Sequence, residues 1–378
     1  MSLDPVRKEI DEIDRDLVAL LQRRLDCSVR VAEIKAAEGI PVLDPVREEK
    51  IIDRVKEAGG AYGAYIAGVY RSIMDVSKEL QHDRMGGVSP LATEIMGAAR
   101  FVPPAREGRV ACQGAPGAFS QAAADRLFPG VRPKFFGSFR EVFAAVERGE
   151  ADYGVLPVEN SNAGSVAEVY DLLLEYRHYI IGGVELSVNQ NLLGLPGTEV
   201  EEVREVLSHP QGIAQCDEYI KAHGFVVREQ TNTAVAARMV AEAGDRTKAA
   251  IGSLAAAKTY GLSVLARSIQ TAGHNTTRFI AVSKTLIVSP QSNKISLVFC
   301  IPHVTGSLCR ILTRFSMHGL NLTKIESRVA PGGEFTYLFY LDFTGSVGDM
   351  STVKLICDLA EELPDFAFLG NYKELPEV

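Results

Sequence analysis

The first 82 residues carry apolar side chains at the spacing of an amphipathic helix. From Ile13 to Lys35 they recur every three or four positions, which predicts a helical face that packs against other helices. The position on this face that follows Leu20 is Arg24, so a guanidinium stands where a core residue is expected. The apolar members of the face are Ile13, Leu17, Leu20, Cys27, Val31 and Ile34.

Start and stop signals divide this segment into three helices. Two near-copies, "DPVRKE" and "DPVREE", each offer an aspartate as N-cap and a proline at the first helical position, and Gly39 is a stop signal. A first helix of about 50 Å cannot bury its apolar face against two short helices of one chain, so we expect a homodimer or tetramer. The predicted helices run from 5 to about 38, from 45 to about 58, and from about 64 to 81.

The pattern changes twice further along the chain. Residues 84–108 are rich in Gly, Pro and Ala without a clear period, which is typical of a linker. Residues 109–288 alternate strand-like runs with helical patterns, and the alternation repeats, which predicts an α/β domain of two similar lobes around a cleft. Residues 293–378 have the order βαββαβ, a ferredoxin-like pattern. The predicted architecture is multidomain, with an all-α domain over residues 1–83.

Composition narrows the functional classes. The 378-residue chain is 46% hydrophobic and 23% charged, as soluble globular proteins are, and its net charge of −8 argues against nucleic acid as a partner. No apolar run is long enough to cross a bilayer and the N-terminus shows no signal-peptide pattern, so we expect a cytoplasmic protein without membrane association. Six cysteines without a CxxC motif and seven histidines without metal-ligand spacing predict reduced thiols and no bound metal. We expect no cofactor either.

The charged residues of the first helix carry the first candidate chemistry. Arg24 and Lys35, eleven residues apart, lie on one helical face. Arg7 lies about 100° away and about 25 Å along the axis, so it can reach the same small ligand only from a second, antiparallel helix. No acid falls in register beside Arg24, so its counter-ion is either a bound anion or solvent and intrachain acids. Ser77 and Gln81 share a face of the third helix.

These residues resemble the active site of the all-helical chorismate mutases. Eight positions match that family in order and nearly in spacing, apart from a slightly short loop around "GGAYG". The resemblance implies that arginines clamp the carboxylates of chorismate, with the first arginine supplied by a partner chain. It also implies that Lys35 and Gln81 donate to the ether oxygen and that Glu48 holds the substrate hydroxyl. The implied chorismate site is Arg7, Arg24, Lys35, Asp44, Arg47, Glu48, Ser77 and Gln81.

Four stretches of the middle segment resemble prephenate dehydratase. They are "GAPGAFS" (114–120), "PVENSNAGSV" (157–166), "SHPQGIAQC" (208–216) and "NTTRF" (275–279). The resemblance implies a bilobal fold, like that of periplasmic binding proteins, which converts prephenate to phenylpyruvate, CO₂ and water in its cleft. The family's essential threonine corresponds to Thr277, and the implied prephenate-binding residues are Asn160, Ser161, Gln215, Thr277 and Arg278.

The roles of individual residues in this second site have more than one interpretation. The reaction needs a proton donor near the departing hydroxyl and a dry pocket. Thr277 is a weak acid, which favours a relay or hydrogen-bonding role. Arg278 either binds a carboxylate or supports the strand, and His209 is either an acid or a cap of the following helix.

The C-terminal pattern resembles an ACT regulatory domain that senses phenylalanine. "GSLCRIL" (306–312) and "NLTKIESRV" (321–329) occupy the places of its effector motifs, with Val329 where the family has proline. The resemblance implies L-phenylalanine as effector, bound by Gly306, Leu308, Asn321, Ser327 and Arg328. The alternative is a dimerisation module that no longer binds an amino acid.

Together the three segments resemble the bifunctional chorismate mutase/prephenate dehydratases of phenylalanine biosynthesis. One alternative is a monofunctional prephenate dehydratase whose helical arm only dimerises, and the eight matching positions argue against it. The other is a solute-binding sensor built on the bilobal fold, and the motif around Thr277 and the missing export signal argue against that.

Overall fold

Three helices form the N-terminal segment, as the periodicity predicts. The structure, a computed structural model, describes residues 3–85, 89–100, 107–271, 273, 275–329 and 337–377. The helices are α1 (Asp4–Glu38), α2 (Pro45–Ala58) and α3 (Gly63–Met85), with a 3-10 turn at Gly60–Tyr62.

Local chemistry explains two of the helix ends and corrects a third. Gly39 ends α1 in the left-handed conformation, with φ of +66°, which most side chains disfavour. Asp44 caps α2, since its side chain accepts a hydrogen bond from the backbone N–H of Arg47 at 3.0 Å. The prediction that Asp4 is the N-cap of α1 is wrong. This aspartate lies inside the first turn of α1, where its charge favours the helix dipole, and Leu3 precedes the helix without a side-chain cap.

The apolar face of α1 is exposed within the chain. Ile13 and Leu20 are 52% and 57% exposed. The buried residues of α1 are Ser28 and Ala32, which follow Arg24 at successive turns of another face. The helix therefore packs within its own chain through the face of these two residues and the partly buried side chains beside them, and its apolar face remains exposed.

The predicted linker at 84–108 is partly structured. It contains α4 (Pro90–Met96) and β1 (Ala99–Arg100), and β1 pairs in parallel with residues 287–288. A helix of seven residues makes only two turns, which is too short for its apolar period to stand out among glycines and alanines. Residues 86–88 and 101–106 of the predicted linker lie outside the described part of the chain.

The middle segment contains the two α/β lobes that the alternation predicts. The first part consists of β2 (Glu107–Gln113), α5 (Phe119–Leu127), β3 (Arg132–Phe136), α6 (Phe139–Glu147), β4 (Tyr153–Asn160), β5 (Gly164–Ser165), α7 (Ala167–Tyr176) and β6 (Tyr179–Ser187). The second lobe consists of β7 (Asn191–Gly194), a 3-10 turn (Val200–Glu202), β8 (Glu205–Ser208), α8 (Pro210–Gln215), α9 (Asp217–His223), β9 (Val226–Glu229), α10 (Thr233–Ala243), β10 (Lys248–Gly252), α11 (Leu254–Tyr260) and β11 (Ser263–Ala266). The chain then returns to the first lobe through β12 (Thr276–Ser283) and β13 (Ile287–Val288). The second lobe has its own five-stranded sheet of order β11-β7-β10-β8-β9.

The C-terminal segment has the predicted order βαββαβ. Its elements are β14 (Lys294–Cys300), α12 (Ser307–Met317), β15 (Leu322–Val329), β16 (Tyr337–Thr344), α13 (Met350–Glu362) and β17 (Ala367–Leu375). Its strands pair antiparallel in the order β15-β16-β14-β17, as in ferredoxin-like folds. Because β17 also pairs in parallel with β6, one ten-stranded sheet joins this segment to the first lobe, in the order β15-β16-β14-β17-β6-β12-β4-β2-β3 with β5 beside β4.

The chain divides into two compact units. One comprises residues 1–93, 304–314 and 354–362, and the other comprises residues 94–303, 315–353 and 363–378. Most of α12 and α13 therefore belongs to the same unit as the three N-terminal helices. Among the described residues, no helix combines the length and hydrophobicity that a bilayer span requires.

Candidate active sites

Arg24 anchors the first candidate site. Its guanidinium donates a hydrogen bond to the Ser77 hydroxyl at 2.6 Å, and that hydroxyl donates to the Ile73 carbonyl at 2.8 Å. Arg24 and Ser77 are 53 positions apart in the chain, and this contact joins α1 to α3. The arginine among apolar neighbours therefore faces a neighbouring helix of its own chain.

Gln81 brings an unsatisfied acceptor to the same face of α3. It lies one turn beyond Ser77, is 8% exposed, and donates its Nε2 to the Ser77 carbonyl at 3.2 Å. Its Oε1 is buried with no hydrogen-bond partner among the described residues. A buried polar atom without a partner costs about 1–3 kcal/mol, so Gln81 Oε1 needs a hydrogen-bond donor that the described residues do not supply.

Three further predicted residues are held by contacts within the helical segment. Lys35 donates its Nζ to the Val42 carbonyl at 2.7 Å, and Asp44 caps α2. Glu48 is a quarter exposed and forms an ion pair with Lys78 at 3.3 Å. The sequence does not single out Lys78, because a buried lysine on a charged helix cannot be told from its exposed charged neighbours by pattern alone.

Arg7 and Arg47 are both exposed. Arg7 lies near the start of α1 and pairs with Asp4 at 4.0 Å, with 70% of its side chain exposed. It stands about 25 Å along the helix from Arg24. The structure of one chain therefore does not bring Arg7 to the Arg24 site.

A cavity of about 210 Å³ in the middle segment is the second candidate site. Both lobes line it, with Asn160 and Thr277 from the first lobe and Gln215 from the second. The aromatic rings of Phe119 and Phe139 also line the cavity. Three of the five residues predicted for prephenate thus surround one space.

Asn160 fixes the orientation of the Thr277 hydroxyl. The Asn160 carbonyl oxygen accepts the backbone N–H groups of Asn162 and Ala163 at 3.0 and 2.9 Å, so its NH₂ group must face the other way. That NH₂ group donates to Asn275 and to Thr277 Oγ, both at 2.8 Å. Because Thr277 accepts this bond, its own hydroxyl hydrogen is available to a ligand in the cavity.

His209 is the one titratable side chain among the described residues that line the cavity. Burial lowers its pKa, which keeps the ring neutral near pH 7. Its Nδ1 accepts the backbone N–H of Gln211 at 3.2 Å, so the proton of the neutral ring lies on Nε2. Of its two predicted roles, the structure shows the helix cap. The described residues contain no cluster of acids, histidines and cysteines arranged to bind a metal.

Helix N-termini supply positive potential to this uncharged cavity. The first turn of α5 lines it through Phe119 and Ser120, and the start of α10 does so through Asn232 and Thr233. Unpaired backbone N–H groups and the helix dipole favour anions at such positions. The cavity can therefore hold a carboxylate without a lysine or arginine in its lining.

Arg278 supports the strand and does not face the cavity. It follows Thr277 on β12, and successive side chains of a strand point to opposite faces. Its three nitrogen atoms donate to Glu374 at 2.6 Å, to Asp342 at 2.7 Å and to the Tyr372 hydroxyl at 2.6 Å. The expectation that Arg278 binds prephenate is corrected on this geometry.

Ser161 also takes a supporting position. Its side chain is exposed, and its hydroxyl accepts the backbone N–H of Thr276 at 3.0 Å. This bond holds the beginning of β12 and so supports Thr277 indirectly. Its predicted contact with prephenate is not seen among the cavity-lining residues that the structure describes.

The sequence analysis missed several polar residues of the cavity. Gln190 is 3% exposed, donates to Gln215 Oε1 at 3.1 Å, and has a buried Oε1 with no partner among the described residues. No motif surrounds Gln190, so the sequence gives no sign of it. Gln113 precedes the glycine-rich "GAPGAFS" stretch and Ser120 is its last residue, and the place of this stretch between a strand and a helix was a usable signal.

The five predicted effector residues lie around the start of α12 and on or just before β15. Gly306 precedes α12 with φ of +86°. Arg328 differs from expectation, since it donates to the Ala167 carbonyl at 2.6 Å and pairs with Asp171 at 3.1 Å. Its guanidinium therefore holds α7. The full set is Gly306, Leu308, Asn321, Ser327 and Arg328.

Comparison with known proteins assigns the helical and middle segments. A family model for chorismate mutase type II matches residues 6–82, and one for prephenate dehydratase matches residues 110–287. A bifunctional chorismate mutase/prephenate dehydratase of Aquifex aeolicus is 32% identical over 98% of this chain and 97% of its own length. The chain belongs to this bifunctional family. It is an enzyme of phenylalanine biosynthesis with mutase and dehydratase activities, as the resemblance predicts.

Relatives of the dehydratase part extend the comparison. Arogenate dehydratase 2 of Petunia hybrida is 39% identical over 70% of this chain and 71% of its own length. A solved prephenate dehydratase from Arthrobacter aurescens, in complex with L-Phe, covers 70% of this chain and 89% of its own, with TM-score 0.62 and 28% identity. The bilobal interpretation of the middle segment is confirmed, and the sensor alternative is excluded by the family assignment.

Proposed function

We propose that the mutase reaction occurs beside Arg24 and the dehydratase reaction beside Thr277. The observation that carries the mutase assignment is the bond from Arg24 to Ser77, one turn from the unpaired oxygen of Gln81. The observation that carries the dehydratase assignment is the Thr277 hydroxyl held by Asn160 at the cavity wall.

The mutase site has to orient chorismate and stabilise its transition state, and it needs no nucleophile. Chorismate rearranges to prephenate in one pericyclic step, so catalysis rests on holding the reactive conformer and stabilising charge on the ether oxygen. Arg24 and Arg47 bind the carboxylates, and Glu48 accepts from the substrate hydroxyl. Lys35 donates to the ether oxygen, as does Gln81 through the second N–H of its Nε2, whose first N–H bonds the Ser77 carbonyl. Asp44 and Ser77 hold α2 and Arg24 in place.

A second chain completes the mutase site. The exposed apolar face of α1 gives two copies a surface to pair through, and antiparallel pairing can bring Arg7 of the partner subunit to Arg24. The protein is then a dimer at least, and the same contacts are compatible with a tetramer.

The dehydratase reaction removes water and CO₂ from prephenate and consumes one proton. The ring hydroxyl leaves as water when it is protonated, while the C–C bond to the ring carboxylate breaks and its electrons complete the aromatic ring. Thr277 donates its hydrogen bond to the leaving oxygen, because Asn160 already occupies its acceptor side. The helix ends at Ser120 and Thr233 hold substrate carboxylate, and Gln190 and Gln215 complete the polar wall.

Separate assays with chorismate and prephenate test the two assignments. Thr277→Val replaces the hydroxyl by a methyl group of similar size, so phenylpyruvate formation from prephenate should fall about 10²- to 10⁴-fold. Thr277→Ser should keep most of the activity. The matched control is Thr276→Val, because the Thr276 hydroxyl bonds Glu377 at 2.7 Å and lies outside the cavity lining. Unchanged dehydratase turnover in Thr277→Val would contradict the assignment.

The C-terminal segment is proposed to be an ACT domain that binds L-phenylalanine. The βαββαβ order and the strand order β15-β16-β14-β17 support this, and the relative from Arthrobacter aurescens was solved with L-Phe. The backbone at Gly306 and Leu308 binds the amino acid at the start of α12, with Asn321 and Ser327 as further contacts. A cytoplasmic location is proposed from the sequence pattern alone.

A further inference from the structure

Lys78 is a buried cation in the mutase segment for which the proposed reaction has no use so far. It is 4% exposed and lies on α3 between Ser77 and Gln81 of the proposed site. Burying a lysine is unfavourable unless carboxylates compensate its charge. The partners of Lys78 therefore decide what it does.

Two carboxylates surround the Lys78 ammonium. Both oxygens of Glu48 lie near Nζ, at 3.3 and 3.4 Å, and Asp75 Oδ1 lies at 3.0 Å. Contact with both Glu48 oxygens fixes the plane of that carboxylate as well as its position. Glu48 is the residue that the proposed mechanism assigns to the substrate hydroxyl, so its orientation affects substrate binding.

The chain of charges continues into the C-terminal segment. The second oxygen of Asp75 lies 3.6 Å from the Arg310 guanidinium on α12. The Asp75 side chain is 13% exposed and that of Arg310 is 43% exposed. The row of charges is therefore shielded from solvent at Asp75 and half exposed at Arg310. These four side chains belong to one compact unit.

We propose that Lys78 is a positioning residue of the mutase site. It holds Glu48 for the substrate hydroxyl and ties it, through Asp75, to Arg310 near the start of α12. The proposal rests on the mutase assignment given above, and its experiment separates the two.

The test replaces Lys78 by Met, which keeps length and helix propensity but removes the charge. Loss of a charge-assisted contact to a binding group should lower mutase kcat/KM about 10- to 100-fold. The loss should fall mainly on KM for chorismate, because the hydroxyl contact is made in ground and transition state alike. Lys78→Arg should recover most of it. The matched control is Lys50→Met, an exposed lysine of α2, which should leave the mutase unchanged.

A double-mutant cycle identifies the route of the effect. If Lys78 acts through Glu48, then Glu48→Gln with Lys78→Met should be no worse than Glu48→Gln alone. Arg310→Gln should raise KM for chorismate by about two- to five-fold, as expected for a half-exposed pair. Additive losses in the cycle, or an unchanged KM in Lys78→Met, would overturn the proposal.

The thermal midpoint of Lys78→Met and the mutase activity of Arg24→Ala separate failure of the Lys78 role from failure of the site assignment. A lower thermal midpoint in Lys78→Met with unchanged KM would mean a structural role only, which also overturns the proposal. If Arg24→Ala retains mutase activity, the site assignment itself fails. If Arg24→Ala is inactive and Lys78→Met behaves like the wild type, only the role of Lys78 fails.

Discussion

At the residue scale, the chain holds two arginines whose neighbours in sequence disguise their roles. Arg24 interrupts an apolar face, and the structure shows it bonded to Ser77 in the proposed mutase site. Arg278 stands beside the proposed catalytic threonine, and the structure shows it paired with Asp342 and Glu374. A charged residue that interrupts an apolar period is thus a better sign of a ligand-facing side chain than a charged residue that stands next to a motif.

Arg24→Ala should abolish mutase turnover and spare the dehydratase. Removing one partner of a charge pair costs about 2–5 kcal/mol, which corresponds to orders of magnitude in rate. The measurement is initial rate with chorismate and, separately, with prephenate. Arg23→Ala is the control, since Arg23 is an exposed neighbour on the same helix. A mutase rate within a few-fold of wild type would rule out Arg24 as a ligand of the chorismate carboxylates.

The limits of prediction are clearest in the proposed dehydratase cavity. Asn160, Gln215 and Thr277 were predictable because they lie in motifs. Gln190 was not, because its proximity to Gln215 depends on how β7 and α8 of the second lobe fold around the cavity. Residues that act through contacts distant in sequence leave no local pattern, and the partners of Arg278 are 64 to 96 positions away.

At the element scale, periodicity and stop signals predicted the helices well. The second helix was predicted at 45 to about 58 and is Pro45–Ala58, because a capping aspartate, a proline and two glycines bound it. The short α4 was missed, since two turns carry too little period. The apolar face of α1 was predicted as a packing surface, and within one chain it is exposed.

That exposed face leads to a test of chain exchange. Arg7→Ala and Arg24→Ala should each inactivate the mutase, and mixed dimers of the two variants should regain activity. One site of such a heterodimer holds both defects and the other holds neither, so about a quarter of the wild-type rate is expected from random mixing. Activity is measured after exchange has been verified by mass spectrometry of differently tagged chains. If exchanged mixtures stay inactive, Arg7 does not act across the interface.

At the scale of the whole molecule, one sheet carries both the proposed catalytic strand and the C-terminal strands. β17 pairs with β6, and β6 pairs with β12, which carries Thr277. The buried pairs from Arg278 to Asp342 and Glu374 cross the same boundary. The C-terminal strands therefore support the strand of the proposed dehydratase site and form the proposed regulatory module as well.

Arg278→Met should destabilise the fold by about 3–5 kcal/mol, because it leaves the buried Asp342 carboxylate without its cation and removes one of the two cations of Glu374, which keeps Lys294. Urea unfolding monitored by circular dichroism measures the change. Arg140→Met is the control, since its pair with Glu175 is half exposed and should contribute at most about 1 kcal/mol. Equal, small effects of both substitutions would mean that the Arg278 pairs do not support the sheet.

Regulation by phenylalanine is the last property that the whole molecule should show. If the start of α12 binds the amino acid, its backbone conformation at Gly306 matters, and φ of +86° there disfavours any side chain. Gly306→Ala should therefore weaken phenylalanine binding in calorimetry and reduce inhibition of the dehydratase. Gly319→Ala imposes a comparable strain just after α12, where φ is +67°, and should lower stability without changing phenylalanine affinity. An effector can shift activity only through different affinities for two states, and coupling of about 1–3 kcal/mol predicts inhibition of about 5- to 150-fold. Absence of binding heat at millimolar phenylalanine, with unchanged dehydratase rates, would leave the C-terminal segment with its structural role alone.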